Sequence, residues 1–122
     1  MDKAFFESYY ETYNSEDAEA LRAFYHDEVE LISAQGVIRG PDQIIAVYRD
    51  ITANFIDQMT PQDISFKDGF AYIQILDRFT AKREVEDFMG MAFTKGQSFE
   101  LNIRAVYEVV DNKIIKASLS LE

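Results

Sequence analysis

The stretch that most limits what this chain can fold into is Ser98 to Val110. There Phe99, Leu101, Ile103, Ala105, Tyr107 and Val109 alternate with Ser98, Glu100, Asn102, Arg104, Val106, Glu108 and Val110. Successive strand side chains point to opposite faces, so this period of two predicts a long strand with one almost wholly apolar face and one mixed face. Lys113 to Leu121 follows across Asp111-Asn112 and predicts a hairpin. Ile64 to Lys67 and Phe70 to Ala81 flank Asp68-Gly69, a strong hairpin signal because a type I′ turn needs positive φ at both central residues. The second half therefore reads as antiparallel hairpins whose apolar face needs a cover.

The first half supplies one. Asp2 is a plausible N-cap, after which Phe5, Tyr9 and Tyr13 fall at i, i+4 and i+8 beside Phe6 and Tyr10, an aromatic helix face. Asn14-Ser15-Glu16-Asp17 links it to a short helix read as ending at Tyr25, with Ala18, Leu21 and Phe24 on one side. Glu28 to Ala34 alternates as a strand, Gln35-Gly36 turns, and Val37 to Arg39 pairs back. Gly40-Pro41-Asp42 opens a third helix, with Ile44, Ile45, Tyr48, Ile51, Phe55 and Ile56 on its apolar side, Asp57 elsewhere, and Thr60-Pro61 as its end. Lys82 to Gln97 reads as a loop or short irregular helix with an apolar middle, either packed on the edge or a Met-containing flap.

Length and charge narrow the class. The 122 residues fit one domain, 1–122, with a real core. A formal charge of −10, from 22 acidic against 12 basic residues, makes nucleic acid a poor partner, because phosphate binding needs clustered Lys and Arg. No Cys is present, which removes disulfides and thiolate chemistry and fits a reducing compartment. No apolar run approaches a membrane span and none reads as a signal peptide, so a cytoplasmic protein with no membrane partner is expected. The single His26, following the second helix, reads as a surface or capping residue, and no His, Asp and Glu cluster has metal-ligand spacing.

The order of these elements resembles the nuclear transport factor 2-like superfamily, and within it the SnoaL-like group, which includes polyketide cyclases. The likeness is carried by Tyr13-Asn14-Ser15-Glu16-Asp17 with Ala20-Leu21, Phe24 to Val29, Gly36 to Gly40 with Ile44, Gly96 with Phe99, and Tyr107 to Ile114. It implies an α+β fold: a cone-shaped roll whose curved, mostly antiparallel sheet is covered on its concave face by about three helices around an apolar pocket. It also implies a homodimer through the sheet and chemistry without a cofactor. Relatives include ketosteroid isomerases, dehydratases, epoxide hydrolases and non-catalytic adaptors, so fold alone does not choose. Matched to the ketosteroid isomerases, Tyr9 falls on the oxyanion-hole tyrosine, but the general base falls at Ser33 and the protonated acid at Ala105. Steroid isomerisation therefore lacks its base.

The resulting expectation is a pocket for a small hydrophobic or aromatic ligand bearing a carbonyl, lined by Tyr13, Leu31, Ser33, Tyr48, Phe55, Leu101 and Ile103. If the protein is an enzyme, isomerase, cyclase or dehydratase chemistry is expected, with Tyr9 donating to an oxyanion and Asp77 as base. Asp77 and Arg78 are adjacent, so one points inward, and a strand apolar on both sides does not say which. Arg39 and Arg104 could hold a carboxylate or sit in surface ion pairs. A non-catalytic binder or a dimeric protein-interaction module is the alternative.

Overall fold

A computed structural model describes all residues from 1 to 122. Helix α1 (Lys3–Asn14) is capped by the Asp2 carboxylate, which accepts from the Phe5 N–H. Helix α2 (Ala18–Arg22) is capped likewise by Asp17. Strand β1 (Tyr25–Ser33) starts earlier than the alternation suggested, because Tyr25 belongs to the sheet and not to the second helix. Strand β2 (Gly36–Arg39) returns beside it, and α3 (Pro41–Asn54) follows with Pro41 in its first turn.

The largest departure from the sequence reading comes next. Helix α3 ends at Asn54, and strand β3 runs from Phe55 to Lys67. The i, i+4 spacing of Ile51, Phe55 and Ile56 imitates a continuing helix, yet Phe55 and Asp57 are buried while Ile56 between them is exposed, a period of two. Pro61 does not stop a helix; it lies at the register shift between Pro61 and Asp63 in an edge strand, where a residue without an N–H is tolerated.

Strands β4 (Phe70–Ala81), β5 (Val85–Phe88), β6 (Met91–Phe93), β7 (Ser98–Val110) and β8 (Lys113–Leu121) complete the chain. The main sheet has six strands in the order β2-β1-β8-β7-β4-β3, antiparallel throughout except for the parallel β1–β8 pair. Asp68 and Gly69 take φ of 54° and 84°, and Asp111 and Asn112 take 53° and 61°, the left-handed pairs that both hairpins require. The 82–97 region is neither loop nor helix at its centre. It forms a separate hairpin in which Met89 and Gly90 turn with φ of 55° and 80°. Met–Gly is a weaker turn signal than Asp–Gly, so the sequence does not announce this hairpin.

Phe6, Tyr9 and Tyr10 of α1 and Ile44, Ile45 and Tyr48 of α3 pack on Ile73, Ile75, Ile103, Ala105 and Tyr107 of the sheet. The helices thus cover the face expected. A second cluster of Phe55, Phe79, Ala81 and Phe93 fills the other end of the same face, with Phe88 and Phe99 against it. No helix is long and apolar enough to cross a membrane.

Candidate functional site

The two clusters meet at a pair of carboxyl groups. Asp57 and Asp77 are 2% and 1% exposed, the only buried residues of charged type in the protein. Register explains their proximity: Asp57 lies opposite Phe79 and Asp77 opposite Met59, so the two acids are diagonal neighbours on adjacent strands and share a face. Leu101 lies opposite Asp77 on the other side and touches both clusters.

Asp77 is therefore the inward member of the Asp77-Arg78 step. Arg78 points to the opposite face, where Nη1 lies 3.6 Å from Glu100 Oε2. No basic side chain reaches the acids. Lys82, at the end of β4, donates instead to Glu16 Oε1 at 2.8 Å and to the Thr52 carbonyl at 2.6 Å.

One donor does reach them: Tyr13 Oη donates to Asp57 Oδ2 at 2.7 Å. Tyr48 Oη donates to the Tyr13 carbonyl, and the two rings meet edge to face at 4.9 Å. Asn14 fixes the end of α1 directly. Its Nδ2 donates to the Met59 carbonyl at 2.8 Å and its Oδ1 accepts from the Met59 N–H at 2.7 Å, so one side chain satisfies both main-chain groups of a residue on the sheet edge. Asn14→Ala is expected to lower unfolding free energy by about 1–3 kcal/mol, through two hydrogen bonds and the unpaired Met59 groups they leave. Urea unfolding measures this; an unchanged midpoint would mean that water replaces the amide without loss.

Burial dominates the electrostatics. Desolvation pushes Asp77 up to about 10, with the neighbouring Asp57 acting in the same direction through their hydrogen bond and charge. Burial also raises Asp57, offset in part by hydrogen bonds from Asp77 and Tyr13. Asp77 therefore keeps its proton at neutral pH. Two anions this close cannot both remain charged without water or a cation. Asp57 Oδ1 and Asp77 Oδ1 accept from no donor in the protein.

The residues expected to line a pocket divide among three places. Tyr13, Tyr48 and Leu101 surround the acids. Tyr9, Ile103 and, partly buried, Leu31 belong to the helix-facing cluster, and Phe55 to the phenylalanine cluster. Ser33 is in neither: its hydroxyl donates to Gln35 Oε1 at 3.0 Å and accepts from the Gln35 N–H, so it is spent on the turn after β1. Tyr9 Oη pairs with Tyr25 Oη at 2.7 Å, as Tyr10 does with Tyr107, and burial lifts Tyr9 to about 12. Each phenol pair uses one of its two protons, so one O–H in each pair is left to donate.

Two surface depressions lie elsewhere. One of about 820 Å³ runs along Asp27, Glu28, Glu30, Arg39, Glu108 and Lys116; one of about 300 Å³ lies by Phe5, Ser8, Phe24 and Asn112. Neither touches Tyr9 or Asp77. Arg39 and Arg104 form ion pairs with Glu30 and Glu122. His26 Nδ1 accepts from the Glu28 N–H. Asp57, which the sequence reading left on a helix, is the site residue it missed; the alternation Phe55, Asp57, Met59 was the available signal.

With that geometry in place, comparison identifies the family. The sequence profile of the SnoaL-like domain matches residues 6–117. The chain belongs to the SnoaL-like family. Among solved structures, IdmH of Streptomyces antibioticus, a candidate polyketide cyclase, is 22% identical with a TM-score of 0.78, covering 98% of this chain and 90% of that one. A candidate polyketide cyclase of Xanthomonas campestris is 19% identical with a TM-score of 0.80, covering 98% and 88%. An epoxide hydrolase of the LEH-like kind from M. tuberculosis is 13% identical with a TM-score of 0.78, covering 98% and 80%. No curated protein matches the sequence. At these identities the neighbours of the SnoaL-like chain establish its nuclear transport factor 2-like fold.

Proposed function

We propose that this SnoaL-like protein admits a small, largely apolar carbonyl compound to the concave side of its sheet and acts on it by acid and base catalysis. The observation that carries the reading is the buried pair of Asp57 and Asp77 side by side on adjacent strands with no basic partner. Buried polar atoms without fixed partners are costly in a stable core, and strongly shifted acids cluster where chemistry is done. Protonated Asp77 is suited to donate to a carbonyl or hydroxyl oxygen. Ionised Asp57, steadied by Tyr13, is suited to accept a proton from carbon or water. Tyr9, with Tyr25 behind it, is the further donor proposed for a developing oxyanion. Cyclase, isomerase and dehydratase reactions all need one group of each kind, and candidate polyketide cyclases among the structural neighbours agree with that class.

Deuterium incorporation next to the carbonyl of 2-tetralone in D₂O, followed by NMR, tests this reading. Wild-type protein is expected to accelerate exchange over buffer, and Asp77→Asn to lose about 10²-fold or more of that acceleration. Equal rates for the variant and wild type would reject the catalytic assignment. The near-complete enclosure of both carboxyls favours one alternative, a carrier that binds without turnover; tetralone resonances that broaden with protein but exchange no deuterium would be its signature.

The mixed outer face of β4 and β7 supports a homodimer. Tyr72 lies opposite Val106 there, and Gln74 and Arg78 lie opposite Arg104 and Glu100. A single monomeric species in sedimentation up to high micromolar concentration would count against it. A cytoplasmic setting is proposed from the cysteine-free composition.

A further inference from the structure

We propose that the ligand site at Asp57 and Asp77 also takes small organic cations, such as a substituted ammonium group, held between the two carboxyls and the rings around them in competition with the neutral substrate. This rests on the reading that a small molecule reaches the pair, and adds to it a class of charged competitor. Three features of the surroundings lead there.

First, the pair has no internal counter-ion. The nearest basic residues along β4 are committed elsewhere, Arg78 to Glu100 on the outer face and Lys82 to Glu16 and Thr52. Second, Asp57 Oδ1 and Asp77 Oδ1 are buried with nothing else to donate to them, so a cation or donor entering between the clusters meets unused acceptors. Third, the walls are rings. Phe79 lies opposite Asp57 and stacks on Phe99 at 4.8 Å, and Tyr13 meets Tyr48 at 4.9 Å on the helix side. Aromatic faces attract alkylated ammonium groups, the more so away from water, and would do little for a carboxylate. A bare metal ion is less well served, because no group of three or more His, Cys, Asp or Glu side chains is gathered anywhere in the structure.

Entry on the phenylalanine side is covered by β5 and β6. That two-stranded sheet pairs only with itself and leans on the main sheet through Phe88 and Phe93. With no strand pairing to the main sheet, this cover is held by its rings alone, chiefly Phe88 and Phe93 against Phe55, Phe79 and Phe99, and parts from the sheet only by breaking those contacts.

The proton inventory gives the proposal a distinctive signature. The titratable groups facing the pair are Tyr10 and Tyr13 from α1 and Tyr48 from α3, all raised by burial and hence neutral below pH 9. From β7 and the hairpin come Leu101, Phe99, Phe88 and Phe93, which carry no charge. The exchangeable proton belongs to the carboxyl pair alone. A bound cation should release one proton, and its affinity should rise up to about tenfold per pH unit.

Calorimetric titration of the full chain with benzyltrimethylammonium, benzyl alcohol and benzoate compares one ring under three charges. The expected result at pH 8 is binding of the cation at least about tenfold tighter than the alcohol, and none of benzoate. One proton should be released per cation, read from the heat in two buffers of different ionisation enthalpy. In Asp77→Asn, whose folding is verified by circular dichroism, the proton release should vanish and cation affinity fall about tenfold or more. Alcohol binding as tight as the cation, or cation binding with no proton release in wild type, overturns the charge selection and leaves the pocket reading standing. Binding of none of the three overturns both.

Discussion

Asp77→Asn is expected to make the protein more stable at neutral and alkaline pH, not less. In the folded state burial lifts the Asp77 carboxyl to about 10, far above its value in an unfolded chain, so folding takes up a proton through the whole interval between. A group raised in this way contributes its full stability below the unfolded value near 4 and loses it as pH rises through the folded one. The slope is about 1.4 kcal/mol per pH unit when one proton is involved. Wild-type unfolding free energy should therefore fall steadily from about pH 5 to pH 9. Asparagine keeps the shape, offers Asp57 an N–H in place of the carboxylic O–H, and needs no proton. At pH 8 the variant should gain on the order of 3 kcal/mol, less than the slope alone implies because Asp57 shares the titration. Urea denaturation at several pH values measures both quantities. A variant less stable than wild type at pH 8, or a flat wild-type profile, would mean that the pair is solvated and doubly ionised.

Phe55→Ala is expected to be the most damaging single truncation near the site. The ring is fully buried and meets Phe88, Phe93 and Phe79 at 4.7, 5.5 and 5.7 Å. Removing it deletes one of the contacts by which the β5–β6 hairpin rests on the main sheet, beside those of Phe79 and Phe99, and adds the ordinary cavity cost. A loss of about 3–5 kcal/mol is expected. The hairpin should also become a site of limited proteolysis between residues 82 and 97 under conditions where the rest of the chain resists. Loss of stability without cleavage there would show that β5 and β6 have anchors other than the phenylalanines.

How far sequence served can be judged residue by residue. The strands of the second half were legible because Asp68-Gly69 and Asp111-Asn112 announce their turns and Ser98 to Val110 keeps a strict alternation, which only a half-buried strand needs. Asp77 was legible as a candidate but not in direction: Phe70, Tyr72 and Leu76 share the outer face of β4 with Gln74, Arg78 and Thr80, so that face is mixed and period two marks no cleanly polar side. Cross-strand pairing decided it, since Arg78 has Glu100 opposite on the outer face. Asp57 was hidden for a different reason. Tyr48, Ile51 and Phe55 keep helical spacing while Phe55, Asp57 and Met59 keep extended spacing, so Phe55 belongs to both patterns where α3 runs into β3, and only the sheet contacts pull it onward into a strand. Ser33 was assigned by position in the family pattern and Phe55 by its place on the apolar side of the expected third helix, and neither says whether a hydroxyl will be taken by a turn or a ring by a neighbouring cluster.

The amide of Asn14 has one more effect. By occupying the outward main-chain groups of Met59, and with Pro61 two residues further along lacking an N–H, it leaves the β3 rim little to offer an incoming strand. Lateral growth of the sheet into ribbons is blocked on that flank, while the opposite flank is only the four residues of β2. Joining of copies rim to rim is thereby disfavoured.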